Sequence, residues 1–250
     1  MNMLTTYDTI SNSSRKRKLE DSYIEEKEYK KSRLMDPFSA SISDSTHIAM
    51  SITGKSNSGK TRLLSKKILA SDYFKYTFTA GNIIYVNDSL DTTIPDSFPN
   101  IIHVKASSLT DDQIGHSLLK ILESEGGCEK LIIFDDMTHR FPPVTKTTIL
   151  AQALKKMVNS GRHSKLNYIL IAQKYTSIHP YLRANLHHCI LFKPNTKIEC
   201  TAMIRDNEEY GIDMLKTVIT SLKEHECCFV NKQPATQKRY LWNESSFVKL

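Results

Sequence analysis

A doubly wound α/β sheet, mostly parallel and flanked by helices, is what this 250-residue sequence predicts. Three observations lead there. Six strand-length apolar runs recur along the chain, helical patterns separate them, and a glycine-bracketed turn follows the first run. Continuously apolar, β-branched runs are expected of parallel strands covered on both faces. Their alternation with helices calls for right-handed crossovers.

Composition sets the outer limits. A 40% hydrophobic and 24% charged chain of 28.6 kDa has enough apolar material for a real core. No apolar stretch approaches the roughly 20 residues that span a bilayer, so no membrane partner is expected. Met1 to Ser14 is polar, without the apolar segment of a secretory signal. The five cysteines (Cys128, Cys189, Cys200, Cys227 and Cys228) form an odd set with no CxxC pair. That argues against a disulfide framework or a cysteine zinc site, and for a reducing, intracellular setting. The net charge of +7 does not come from residues 1–45, where eight basic and eight acidic side chains cancel. It comes from residues 46–250, with 26 basic against 19 acidic, a surplus compatible with a phosphate-rich partner.

Each element follows in order. Residues 1–45 read as a flexible charged tail, with Ser11, Ser13 and Ser14, the basic run Arg15-Lys16-Arg17-Lys18, and mixed charge from Glu20 to Arg33. They offer little apolar burial to offset the entropy of ordering. The basic run fits a nuclear localisation signal or a nucleic-acid contact, and Asp21 to Leu34 has the i,i+4 pairs of a charged helix. Residues 46–250 form one domain. Its strands are Ile48–Ile52, Ile83–Val86, Ile101–Val104, Leu131–Phe134, Tyr168–Ala172 and Cys189–Phe192. Helical patterns fall at about 60–70, 111–124, 145–159 and 198–204. A further helix at 211–223 buries one face, through Ile212, Leu215, Val218, Ile219 and Leu222. Cys227–Asn231 and Lys238–Trp242 flank Gln233-Pro234-Ala235-Thr236 and read as a C-terminal β-hairpin, with Cys227 and Cys228 packing in the strand. Residues 195–250 thus add a helix-and-hairpin extension.

The turn after the first strand is Gly54-Lys55-Ser56-Asn57-Ser58-Gly59-Lys60-Thr61, which fits GxxxxGK[ST] at every fixed position, with a strand before it and a helix after it. This is the Walker A pattern of a P-loop NTPase. Gly54 and Gly59 allow close backbone approach, so successive amides can curl around a β-phosphate, helped by the helix N-terminus. Lys60 would bridge β- and γ-phosphate oxygens of ATP, and Thr61 would offer its hydroxyl to Mg²⁺. A carboxylate beside that metal must come from the end of a buried strand. Leu131-Ile132-Ile133-Phe134-Asp135-Asp136 supplies two, in the Walker B manner. Strand alternation is expected to send their side chains different ways. Asp135 would hold the Mg²⁺ shell and Asp136 would orient or deprotonate an attacking water, which favours hydrolysis over transfer. Asn167 to Ala172 ends in Gln173, an amide placed to sense the γ-phosphate.

Four segments in this order resemble the FtsK/HerA-type genome-packaging ATPases of large DNA viruses, virophages and polinton-like elements. They are Gly54 to Thr61, Ile132 to Asp136, Gly161-Arg162-His163-Ser164 ahead of Tyr168 to Gln173, and Ile178 to Asn185 leading into Cys189 to Phe192. The resemblance covers about residues 46–195. It implies a homo-oligomeric ring, pentamer or hexamer, that drives double-stranded DNA into a capsid through a capsid or portal protein. That places it in the host cell, in a viral factory or the nucleus, or associated with the virion. By the same resemblance Lys60 and Thr61 are phosphate and metal ligands, Asp135 and Asp136 metal ligand and acid/base, and Gln173 the sensor. Ring ATPases complete each site with a neighbour's arginine. Arg162 and Arg183 are the candidates, with Arg140 behind them, while His163 reads as a hydrogen-bonding position. A motor that moves over any sequence grips phosphates rather than bases, and Lys105, Lys146, Lys155 and Lys156 are the candidate grips.

Three other readings use the same loop. A P-loop nucleoside or nucleotide kinase needs a lid of clustered arginines. Here only nine arginines exist, and the nearest approach to a cluster, Arg15 and Arg17, lies in the tail. A non-catalytic nucleotide switch would leave the acids and Gln173 without a role. A helicase or plasmid-mobilisation motor of the same superfamily is closer to the main reading and is poorly separated from it by sequence; what divides them is whether DNA is moved into a shell or unwound.

Overall fold

The computed structural model describes residues 47–249, apart from 79–80, 89–92, 99, 125–126, 208–211, 233–238 and 244–245. The expected tail and the turn at Gln233–Thr236 lie outside the described residues. In chain order the strands are β1 (Ala49–Thr53), β2 (Ile83–Asn87), β3 (Ile102–Lys105), β4 (Lys130–Asp135), β5 (Leu166–Ala172), β6 (His188–Phe192), β7 (Cys227–Asn231), β8 (Arg239–Asn243) and β9 (Ser246–Lys249). The helices are α1 (Lys60–Leu63), which continues as a π-helix over Leu64–Leu69, α2 (Asp72–Thr77), α3 (Thr93–Ser97), α4 (Asp111–Glu123), α5 (Ile149–Ser160), α6 (Pro180–Ala184), α7 (Lys197–Arg205) and α8 (Ile212–Ser221).

All nine strands join one sheet in the order β3-β2-β4-β5-β1-β6-β7-β8-β9. The first six are parallel, and β7, β8 and β9 add antiparallel. The sheet is therefore α/β and mostly parallel, as the apolar runs required. The terminal hairpin of β7 and β8 is present and is extended by β9, which the sequence reading did not include.

Strand alternation divides the interior in two. Ile132, Phe134, Tyr168, Leu170, Cys189 and Leu191 face one side, where α4, α5 and α8 bury Leu118, Leu154 and Leu215. Ile133, Ile169, Ile171, Ile190 and Phe192 face the other, with Leu64 and Ile68 of the segment after the phosphate loop and Phe74 of α2. The central strands β1, β4, β5 and β6 are buried on both faces, whereas the edge strand β3 is largely exposed. Helix starts are set by local capping. Thr110 and Gln113 form a reciprocal capping box on α4, and Thr148 and Thr196 accept from the third amides of α5 and α7. At Gly115 a Cβ would stand 2.6 Å from the Leu150 amide, so α4 and α5 pack at backbone contact. Among the described residues no helix is long and apolar enough to cross a membrane.

Parallel pairing puts all the carboxyl ends of β1 to β6 at one edge. The opposite edge holds a histidine group. His47 Nε2 bonds the Leu166 carbonyl at 2.8 Å, and its ring meets that of His187 edge-on at 5.4 Å. His188 stacks on Phe229 at 5.7 Å. Burial, reinforced by the charge of His187, lowers His47 to about 4 and His188 to about 3. Both are neutral in the folded protein, whereas in the unfolded chain they protonate near their ordinary value of 6.5. Their contribution is therefore complete above pH 6.5 and is lost as the pH falls toward 4. Urea unfolding at pH 7 and pH 5 should show a loss on the order of 2 kcal/mol per histidine; equal midpoints would contradict the buried neutral pair.

Candidate functional site: the cleft at the strand ends

β1 stops at Thr53 because the chain reverses at Gly54. The Gly54 amide donates to the Ala172 carbonyl (3.2 Å), tying the turn to the end of β5. A Cβ here would lie 2.5 Å from Phe192 Cβ and 2.8 Å from Ser58 Oγ, so only glycine fits between the loop and β6. Ser58 N donates to the Lys55 carbonyl at 3.2 Å. Asn57 (φ 63) and Gly59 (φ 104) both take the left-handed region. Alternation of left- and right-handed backbone turns successive amides inward, the geometry of an anion nest.

Lys60 Nζ donates to the carbonyls of Gly54 (2.7 Å) and Lys55 (2.8 Å), which holds the ammonium over the loop. Burial lowers its pKa, and the charges of Asp135 and Asp136 oppose that shift. The two carboxylates facing it favour the charged ammonium form. Lys55 instead reaches outward to Glu224 (2.5 Å), an exposed pair.

The two aspartates share the cleft by a route that strand alternation did not anticipate. Asp135 is the last residue of β4 and accepts from the Tyr85 hydroxyl of β2. Asp136 is out of the strand, at φ 57, with its amide donating to the Ile171 carbonyl at 3.0 Å. That left-handed turn corrects the expected divergence and brings both carboxylates to the same wall. Gln173 Nε2, one residue past β5, donates to Asp136 Oδ2 at 2.5 Å. The turn after Gln173 is held from beneath by a buried carboxylate, Glu199, which accepts from the amides of Tyr175 (2.8 Å) and Asn195 (3.1 Å).

The resulting cleft, about 530 Å³, is lined by Ser56, Asn57, Gly59, Lys60, Thr61, Arg62, Asp135, Asp136, Gln173 and His225. Lys60, Thr61, Asp135, Asp136 and Gln173 thus meet at one place, as their motifs implied. His225 and Glu199 were not foreseen. Among the described residues no group of three or more His, Cys, Asp or Glu could cage a metal. The donor set here, one hydroxyl and two carboxylates around an anion nest, suits Mg²⁺, which keeps waters and shares phosphate oxygens.

The arginines separate. Arg162 is exposed in the turn between α5 and β5, at the histidine edge of the sheet and so far from this chain's own cleft. His163 is exposed beside it. Arg183 corrects its expectation as a residue offered to a neighbour. It is buried at 5% exposure, pairs through Nε with Asp206 (2.9 Å) and lies 5.1 Å from the Tyr175 ring centroid. Arg140 is likewise occupied, bonding Asp88, Asp111 and the carbonyls of Ala106 and Leu109. Of the candidate grips, Lys105, Lys146 and Lys155 are exposed, while Lys156 pairs with Glu123 at 2.7 Å.

Comparison with known proteins places this geometry. A family model described as Poxvirus A32 protein matches residues 37–226. No curated protein sequence matches. Among solved structures, the DNA-packaging ATPase B204 of Sulfolobus turreted icosahedral virus is similar at 15% identity and a TM-score of 0.62, over 79% of this chain and 97% of that one. The genome packaging NTPase B204 of Sulfolobus turreted icosahedral virus 2, in complex with ATP-gammaS, is similar at 16% identity and a TM-score of 0.60, over 80% and 98%. At these identities the likeness establishes the fold, a P-loop NTPase sheet.

The buried Arg183–Asp206 pair makes a stability prediction. Arg183→Ala leaves Asp206 short of a partner and should cost about 3–5 kcal/mol in urea unfolding. A variant of native stability would reopen a surface role for Arg183.

Proposed function

The chain belongs to the poxvirus A32 protein family, and we propose that it is an ATP-hydrolysing motor that packages viral double-stranded DNA into a capsid. The observation that carries this is the convergence of Lys60, Asp135, Asp136 and Gln173 on one anion nest. The loop amides and Lys60 hold the phosphates and neutralise their charge. Thr61 and Asp135 would hold Mg²⁺, which when bound would supply Lewis-acid stabilisation of charge on the phosphate oxygens. Asp136 orients a water for in-line attack and takes its proton. Gln173, already bonded to Asp136, registers whether the γ-phosphate is attached. Two carboxylates arranged around a water position favour hydrolysis over transfer to a nucleoside, and Arg140 and Arg183 are tied into the fold rather than offered to a lid.

The structurally similar B204 proteins are genome-packaging enzymes by description, and one binds ATP-gammaS. Both points support the same assignment here. The ring is part of the proposal: Arg162 is exposed at the sheet edge opposite its own cleft, so a catalytic role for it would lie in a neighbouring subunit. Double-stranded DNA would be gripped at phosphates by Lys105, Lys146 and Lys155. The capsid or portal protein, and the viral factory or nucleus as the place of action, belong to the same proposal.

Three measurements test it. Duplex DNA should stimulate ATP hydrolysis, with stimulation fading as salt rises. Mixing inactive Arg162→Ala with inactive Lys60→Ala subunits should restore part of the rate. Salt-independent stimulation, or no rescue on mixing, would contradict backbone gripping or the shared site respectively. Asp136→Asn should lower turnover by about 10²–10⁴ while nucleotide affinity holds, measured by single-turnover hydrolysis beside calorimetry. Unchanged turnover would remove Asp136 from the chemistry.

A further inference from the structure

His225 lines the cleft from the part of the chain beyond every sequence motif, and the sheet order says which end of a nucleotide it meets. β5 and β4 lie on one side of β1 and carry Gln173, Asp135 and Asp136, which mark the γ-phosphate end. β6 and β7 lie on the other side. A nucleotide lying along the loop therefore has its nucleoside on the β6–β7 side. β7 runs antiparallel to β6, with Cys227 opposite Phe192, so the turn before β7 stands at the cleft edge. That turn is tightly closed. Lys223 N donates to Glu226 Oε2 (2.8 Å) and Glu226 N to the Lys223 carbonyl (3.2 Å). Glu224 is paired with Lys55 of the loop (2.5 Å).

His225 has φ 65, and its Nδ1 lies 3.3 Å from the Ser58 carbonyl. A carbonyl only accepts, so Nδ1 is the donor in this contact, the tautomer in which Nε2 is left as an acceptor. We infer that His225 is the nucleoside-reading residue of this site: its ring packs against the base–ribose half of the nucleotide, and Nε2 accepts from a hydroxyl or amino group there. An aromatic ring with one polar nitrogen suits such a surface. The Lys55–Glu224 pair fixes the turn to the phosphate loop, so the nucleoside wall and the phosphate nest are held in one register. This rests on the nucleotide-binding reading above, and its test separates the two.

The full chain, wild type and His225→Gly, is titrated calorimetrically with two probes in Mg²⁺ buffer, the non-hydrolysable analogue AMP-PCP and inorganic tripolyphosphate. Glycine accepts φ 65 without strain, so the loop keeps its path. The expected result is about a tenfold loss of AMP-PCP affinity, the worth of one hydrogen bond and a ring contact, with tripolyphosphate affinity held within about twofold. His225→Asn, which also tolerates this backbone and keeps a polar tip, should fall between. Equal losses for both probes would make His225 a prop of the Ser58 turn and overturn the inference. Unchanged AMP-PCP affinity would overturn it as well. Wild type binding neither probe would overturn the nucleotide reading itself, and this inference with it.

Discussion

The pairing of β5 with both β1 and β4 is the contact on which the site depends. β1 delivers the phosphate loop and β4 delivers the acids, but the two strands do not touch. β5 spans them, with Thr53 opposite Ala172 on one side and Asp135 opposite Ile171 on the other. Its last residues then anchor both neighbours. The Ala172 carbonyl holds the Gly54 amide, and the Ile171 carbonyl holds the Asp136 amide. A slip of β5 by one residue would exchange its two buried faces and release both anchors together. β5 is buried at every position, and Asn167 within it accepts from the Ile48 amide (2.7 Å) and donates to the Lys130 carbonyl (3.1 Å), contacts that such a slip would break.

On this frame the electrostatics are self-limiting. Burial works against the charge on Lys60, and Asp135 and Asp136 work for it. The two carboxylates in turn have hydrogen-bond donors from outside the loop, Tyr85 for one and Gln173 for the other. Each charge is compensated by a group on a different strand, so sheet register, rather than loop conformation alone, sets the site's polarity.

The strands that build this frame were legible because each is apolar on both faces, and a continuous run survives errors of a residue at either end. The acids and Gln173 were legible because their chemistry places them at strand ends. What was hidden had no periodic signal. β9 is Ser-Phe-Val-Lys, too short to display an alternation. The short helix α6 opens on Pro180, capped by His179, and four further residues cannot establish a helical period. The left-handed turn at Asp136 was hidden because aspartate gives no warning of it as glycine would. His225 sits 167 residues from Ser58, in a turn that carries no motif. The only hint was a Lys-Glu-His-Glu stretch placed just before an apolar strand.

The arginines show why a motif alone does not assign a role. Arg162 and Arg183 belong to the same family pattern and are the same distance, in chemical terms, from a phosphate. Their surroundings differ entirely. Arg183 has an aspartate, a carbonyl and an aromatic ring within reach, all in the interior, and leaving them would strand Asp206 beside Arg205 alone. Arg162 stands in an exposed turn on the edge where His47, His187 and His188 gather. Burial keeps His47 and His188 there uncharged at neutral pH. Under the proposed shared site, a phosphate group brought by another subunit would supply a counter-charge for this exposed guanidinium.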